Sequence, residues 1–190
     1  MPKIENTKVA FLEDAVAGSK FPMAVDFDRL TSEITDRTIK LATAPAGSGH
    51  DNFLKGITVM FDLTLSEKAW PQAERYHFLE FVSSSSTMHR LNRMDVRNCC
   101  NPYVTATAIL NLEGLVEEYN RTKSDEDFLR MIYNVPSGFE LTARMVTNYQ
   151  QLKTIYRQRR THRLPDWQMF CDWIESLPHS ELITGARDGR

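Results

Sequence analysis

An amide and a guanidinium, Asn148 and Arg159, stand eleven residues apart in a segment where Leu141, Met145, Leu152 and Ile155 recur at helical spacing. At ~3.6 residues per turn, that separation puts both polar heads on the azimuth of the apolar stripe. They should face a core or an interface rather than water. A guanidinium in such a place needs a partner, because a buried unpaired charge is costly. Two readings stay open. One is an internal salt bridge to one of the 25 carboxylates. The other is a bound anion, such as a phosphate or an ionised base, which suits a planar head with five donors.

A second candidate lies in FLEFVSSSSTMHRLNRMD, residues 78–95. Ser83, Ser84, Ser85 and Ser86 run into Thr87, Met88, His89 and Arg90. Hydroxyls, successive N–H groups and an arginine gathered within a turn or two are the materials of a phosphate nest. The same serines would also serve as an ordinary capping turn at a helix end. A P-loop is excluded, since no Gly-x4-Gly-Lys-Ser/Thr pattern is present. His50 ends a glycine loop and is well placed for a ligand. No H-E-x-x-H, C-x-x-C or His/carboxylate pair points to a metal, and no G-x-S-x-G elbow or Cys/His pair points to nucleophilic hydrolysis. The basic cluster of Lys153, Arg157, Arg160, His162 and Arg163 reads as a solvated helix end complementing the macrodipole, with nucleic acid the weaker rival.

These residues need elements to hold them. GITVMFDLTL, residues 56–65, alternates Ile57, Val59, Phe61, Leu63 and Leu65 with more polar positions, the period of a strand. From Ser66 the spacing of Trp70, Ala73, His77 and Phe81 predicts a helix that runs into the serines. Further helices are predicted from about Val104 to Tyr119 and from Asp125, capped by Ser124, to about Asn134. A long helix follows from about Phe139 to Arg160. The last starts at Leu164-Pro165-Asp166, with Trp167, Phe170, Ile174 and Leu177 on its apolar side. Residues 1–30 are expected to supply another strand or two. The fold class is therefore α+β, a mainly helical chain around at least one well-formed strand, and more strands or an oligomer must complete the sheet. A single domain over residues 1–178 and a flexible tail over 179–190 are expected.

The chain has 190 residues, 42% hydrophobic and 25% charged, with a net charge of −2. That balance gives no electrostatic pull toward nucleic acid or anionic membranes. No apolar run approaches the ~20 residues that cross a bilayer. Cys99, Cys100 and Cys171 form an odd set without zinc spacing, which suggests reduced thiols and a cytoplasmic protein.

Three stretches, read in order, resemble the flavin-dependent thymidylate synthases, the ThyX family. SGHDNFLKGITVMFDL resembles that family's Gly-His-Glu-Thr loop and following strand. The serine stretch stands where the signature R-H-R-x-x-S-x-N-E-x-S-x-R would be. TNYQQLKTIYRQRRTHRLPDW is similar to the helix N-x-R-S-L-x-N-F-L-x-L-R with its Ala-Gln-Trp turn. The match spans roughly residues 40–175. Ser83 and Arg90 keep their signature positions, while Phe78, Leu79 and Glu80 replace Arg-His-Arg and Lys55 replaces a flavin-contacting Glu. The pattern is that of a divergent branch of a kind expected in phage genomes.

The resemblance implies reductive methylation of dUMP, or a related pyrimidine nucleotide modification. FAD, NADPH and methylenetetrahydrofolate would be the cofactors, and a pyrimidine nucleoside monophosphate the ligand. Arg159 would polarise the pyrimidine, a catalytic role. Ser83, Ser84, Ser85, Ser86, His89, Arg90 and Arg130 would bind the nucleotide, and His50, Asn52 and Asn148 would face the flavin. The family's sites form between the subunits of a homotetramer, so one chain need not complete one. The alternative is a flavin-free homologue that binds nucleotides or a protein partner.

Overall fold

A computed structural model of the chain describes residues 2–45 and 47–185. Strand β1 (Lys3–Ala10) opens it, followed by helices α1 (Leu12–Gly18) and α2 (Asp36–Ala42), strand β2 (Thr58–Ser66), the single-turn α3 (Trp70–Ala73) and strand β3 (Glu80–Ser84). Helices α4 (Thr87–Arg90), α5 (Val96–Cys99), α6 (Ala106–Thr122) and α7 (Asp125–Tyr133) come next. Strand β4 (Glu140–Asn148) then leads into α8 (Tyr149–Arg159), α9 (Pro165–Ser176) and α10 (Glu181–Thr184). The sheet is antiparallel throughout, in the order β1-β2-β4-β3, so the class is α+β.

Strand β2 is central, and its alternation has the expected consequence. Val59, Phe61, Leu63 and Leu65 are fully buried, whereas Met60, between them, is exposed. Phe61 meets Phe170 and Trp173 of α9 at centroid distances of 6.0 and 4.5 Å. Each such side chain taken from water stabilises the fold by about 1.5–3 kcal/mol. Helices α8, α9 and α10 close this core with Leu152, Ile155, Trp167, Ile174, Leu182 and Ile183. A second cluster of Leu91, Val96, Leu112, Met131 and Phe139 lies under α6 and α7. The Ser124 hydroxyl accepts the Asp127 N–H and caps α7, as its sequence position implied.

Two expected helices are helical only in part. The helix predicted from Ser66 stops after one turn, and residues 80–84 pair with β4 instead. The Thr147 hydroxyl donates to the Phe78 carbonyl at 2.6 Å, and Trp70 packs on Phe81 across the turn at 5.2 Å. A vacant edge of β4 thus wins over local spacing. The long helix from Phe139 divides at Asn148 into β4 and α8. Leu141 and Met145 are four apart, a spacing in phase with both a strand and a helix, while Ala143, Met145 and Thr147 are buried at period two.

The tail was expected to be loose from 179 onward. Within it, Leu182 and Ile183 of α10 are buried, and just before it the Tyr149 hydroxyl donates to the Pro178 carbonyl at 2.5 Å. Residues 186–190 of that expected tail lie outside the described residues. No helix among the described residues is long and apolar enough to cross a membrane.

Candidate functional site

Arg159 closes α8 and is half-buried. Its Nε donates to the Tyr76 hydroxyl at 2.7 Å and its Nη1 to Gln72 Oε1 at 3.0 Å. The guanidinium lies over the Trp167 ring at 4.5 Å and the Tyr76 ring at 5.6 Å. The two neutral partners are themselves held. Trp167 Nε1 also donates to Gln72 Oε1, and the Tyr76 hydroxyl donates to Gln158 Oε1, both at 3.0 Å. Among the described residues no carboxylate comes within ion-pair distance of Arg159. The internal salt bridge that would explain it is not made among them. Aromatic faces and neutral oxygens lower the cost of half-burying the charge without cancelling it.

That charge acts on its neighbour. Burial, and then repulsion by Arg159, push the His162 imidazole below its usual range, while Asp166 pulls the other way. His162 Nδ1 accepts the Leu164 N–H at 3.1 Å, which fixes the neutral ring in the α8–α9 turn.

Asn148 lies at the opposite end of α8 from Arg159. It ends β4 and caps α8, its Oδ1 accepting the Gln151 N–H at 2.9 Å. Eleven helical residues place it roughly 16 Å from Arg159 along the axis. Its groove, of ≈ 170 Å³, is shared with Lys55, Phe78, Glu80 and Thr147. His50 and Asn52 instead line a larger cleft, ≈ 710 Å³, walled by α1, α2 and the turn at Pro22 and Met23, with Arg37 as its cation.

The serine run is the end of a strand rather than of a helix. Ser83 and Ser84 are exposed opposite Arg144 and Ala143. Ser85 continues the ladder: its N–H donates to the Thr142 carbonyl at 2.9 Å and its hydroxyl accepts the Thr142 N–H at 3.1 Å. Ser86 precedes α4, on which His89 and Arg90 are exposed. Arg130 is spent on the surface of α7 against Glu126 at 2.5 Å and Asp127 at 3.6 Å. Among the described residues no shared hydrogen-bond or ion-pair partner links Arg90, Arg130 and Arg159. The first two belong to elements over the second cluster, and the third packs on the first.

The residue that sequence reasoning missed is Lys153. Placed with a solvated basic face, it is buried, and its ammonium donates to Asp51 at 2.7 Å and to the Ala42 and Ala44 carbonyls at 2.5 and 2.9 Å. Gln150 adds a bond to the same carboxylate at 3.2 Å. Burial raises the Asp51 pKa, yet the Lys153 bond and charge outweigh it, and the net direction is down. The signal was available: Lys153 sits four residues from Tyr149 and next to Leu152, on the apolar side of its helix. Cys99, Cys100 and Cys171 are free thiols, and burial raises the pKa of each. Among the described residues no group of metal ligands assembles.

No family model matches the sequence, and no curated protein does. The fold has clear counterparts. The flavin-dependent thymidylate synthase ThyX from Helicobacter pylori, complexed with FAD and dUMP, aligns with a TM-score of 0.75 at 14% identity, over 96% of this chain and 98% of that one. A second structure of it with FAD and dUMP gives 0.76 at 14% identity, over 97% and 98%. The UMP/dUMP methylase PolB from Streptomyces cacaoi, bound with 5-Br dUMP, gives 0.63 at 14% identity, over 93% and 89%. In this chain the residues expected to face a flavin are divided between two clefts. The groove beside Asn148 offers a diphosphate the Glu80 carboxylate as well as the Lys55 ammonium. Within one chain these residues do not fit a flavin laid across Asn148. The architecture is that of the flavin-dependent thymidylate synthases.

Proposed function

We propose that this chain binds a pyrimidine nucleoside monophosphate, dUMP or a close relative, and belongs to the chemistry of dUMP methylation. The observation that supports this is the positive charge of Arg159, held by neutral partners and, among the described residues, left without a carboxylate. A charge kept in that state is preorganised for an anion, and a developing negative charge on a pyrimidine ring is one it would stabilise. In this reading Arg90, His89 and the hydroxyls of Ser83, Ser84, Ser85 and Ser86 hold the phosphate of a nucleotide shared with a neighbouring copy of the chain, and Arg130 assists. A homo-oligomer, a tetramer by resemblance, is part of the proposal. FAD enters only between neighbouring copies, where His50 and Asn52 of one cleft and Asn148 of the other would share it, and when bound it would supply hydride transfer. NADPH and methylenetetrahydrofolate enter on the same footing.

Calorimetric titration with dUMP, set against other nucleoside monophosphates, is the test. Arg159→Ala should weaken binding by about 10- to 100-fold, the worth of a charge-assisted hydrogen bond or two. Unchanged affinity in that variant would remove Arg159 from the site.

A second reading, a flavin-free nucleotide-binding homologue, is favoured by Glu80 and Lys55 in the Asn148 groove. Titration with FAD, followed by flavin fluorescence, separates the two: dUMP binding without FAD uptake selects the second, and stoichiometric FAD the first.

A further inference from the structure

The start of α9 opens onto a cleft that the nucleotide reading does not use. It holds ≈ 320 Å³, small among ligand sites, and shares no lining residue with the His50 cleft or the Asn148 groove. Three ties between distant segments build it. The Ser66 N–H donates to Asp166 Oδ1, the Lys68 N–H to the Ser137 carbonyl and the Asn101 N–H to the Gly138 carbonyl, each at 2.9 Å. The last tie needs a glycine. A Cβ on Gly138 would stand 2.5 Å from Val104 Cγ2 and 2.8 Å from Asn101 Oδ1, pushing the 101–104 turn off the wall. That same Asn101 oxygen accepts the Tyr103 N–H at 3.0 Å and sets the turn that carries the ring.

The lining is mostly apolar, from Pro102, Tyr103, Val104, Leu164 and Pro165, with one buried charge set into it. Asp166 is only 4% exposed. Its Oδ1 takes the Ser66 N–H, while among the described residues Oδ2 has no partner and no cation pairs with the carboxylate. The α9 dipole favours an anion in the first turn, but it supplies only about half an elementary charge, which leaves a carboxylate withdrawn from water incompletely offset. Lys68 is exposed on the same lining and likewise has no ion-pair partner among the described residues. The Tyr103 ring is 77% exposed, open to an apolar body or a cation. We propose that this cleft binds a small zwitterion with an apolar body, an aromatic or branched α-amino acid. Its ammonium completes Asp166, its side chain packs against Tyr103, Pro102 and Pro165, and its carboxylate pairs with Lys68. A plain anion would meet the Asp166 charge, and a plain cation would leave Lys68 unused.

The test is a titration of the isotope-labelled intact chain, followed by its backbone amide resonances. L-phenylalanine should shift the amides of Ser66, Tyr103 and Val104. Phenethylamine, which keeps the ammonium alone, should shift them too, and hydrocinnamate, which keeps the carboxylate alone, should not. Asp166→Asn preserves an acceptor for the Ser66 N–H and should weaken both amines about tenfold or more, the worth of a charge-assisted hydrogen bond. Tyr103→Ala, at a ring that stands mostly in water, should also weaken them with an unchanged circular dichroism spectrum, and it decides the matter if Asp166→Asn does not fold. L-phenylalanine should bind about two- to fivefold tighter than phenethylamine, the worth of an exposed ion pair, and Lys68→Ala should erase that margin. Equal affinities in the wild type would remove Lys68 from the site. The proposal is overturned if neither amine shifts these amides at about 10 mM, if hydrocinnamate binds as well as they do, or if their affinity survives both Asp166→Asn and Tyr103→Ala.

Discussion

Two of the cations on helix α8 have opposite fates. Lys153, near its middle, is 3% exposed and surrounded by three oxygen acceptors, one of them the equally buried Asp51 carboxylate. Arg159, at its end, is half-buried with neutral partners and two aromatic faces. The first is a completed circuit that ties the glycine loop to the helix. The second is an open one. Burial alone therefore does not mark a functional charge; what marks it is the absence of an internal counter-ion where one could have been supplied.

The largest effect should come from breaking the closed circuit. Lys153→Met leaves a buried carboxylate and two carbonyls without their donor, and urea denaturation should show a loss of about 3–5 kcal/mol. Arg159→Met should cost the fold only about 1 kcal/mol, because Tyr76 and Gln72 keep their bonds to Gln158 and Trp167. Equal losses in the two variants would erase the contrast between them.

Acid sharpens the same comparison. The Asp51 pKa is lowered by folding, so its contribution is present above the unfolded carboxylate value of about 3.9 and disappears as pH falls through the lower folded value. Stability measured from neutrality downward should drop in that window in the wild type and lose that component in Asp51→Asn. A smaller effect is expected at the far end of the helix from Arg159. Asn148→Ala removes the α8 cap and should cost about 1 kcal/mol, with Asn148→Asp close to wild type. The finest probe is His162. Its lowered pKa, due to burial first and Arg159 second, should rise in Arg159→Gln when followed by the imidazole proton resonances. A fall would mean that Arg159 does not face the ring.

Much of the fold could be read from particular residues. The alternation from Ile57 to Leu65 gave the central strand, Ser124 gave the cap of α7, and Trp167, Phe170 and Ile174 gave the buried side of α9. The failures share one cause. Leu141 with Met145, and Ala73 with His77 and Phe81, are spaced by four, a step that satisfies both period two and period 3.6. Local pattern could not choose between helix and strand there, and pairing with β4 and β2 chose. The candidate site fared similarly. Arg159 stands out by its place on an apolar stripe, and among the described residues it has no carboxylate partner. Asn148 caps the start of α8, a helix length from Arg159, and Leu141 and Met145, which should extend the stripe, belong to β4. Lys153 was set among solvated cations because its counter-ion lies about a hundred positions away in sequence.

By itself the sequence determined the class of the chain, its central strand, its longer helices and the fact that an arginine had to sit against apolar residues. These follow from short-range periodicity and from capping groups a few residues apart. Which cation is neutralised and which is left open was decided only by the tertiary structure. A counter-ion's distance is set by the packing of elements far apart along the chain, and side-chain spacing within one element carries no information about it.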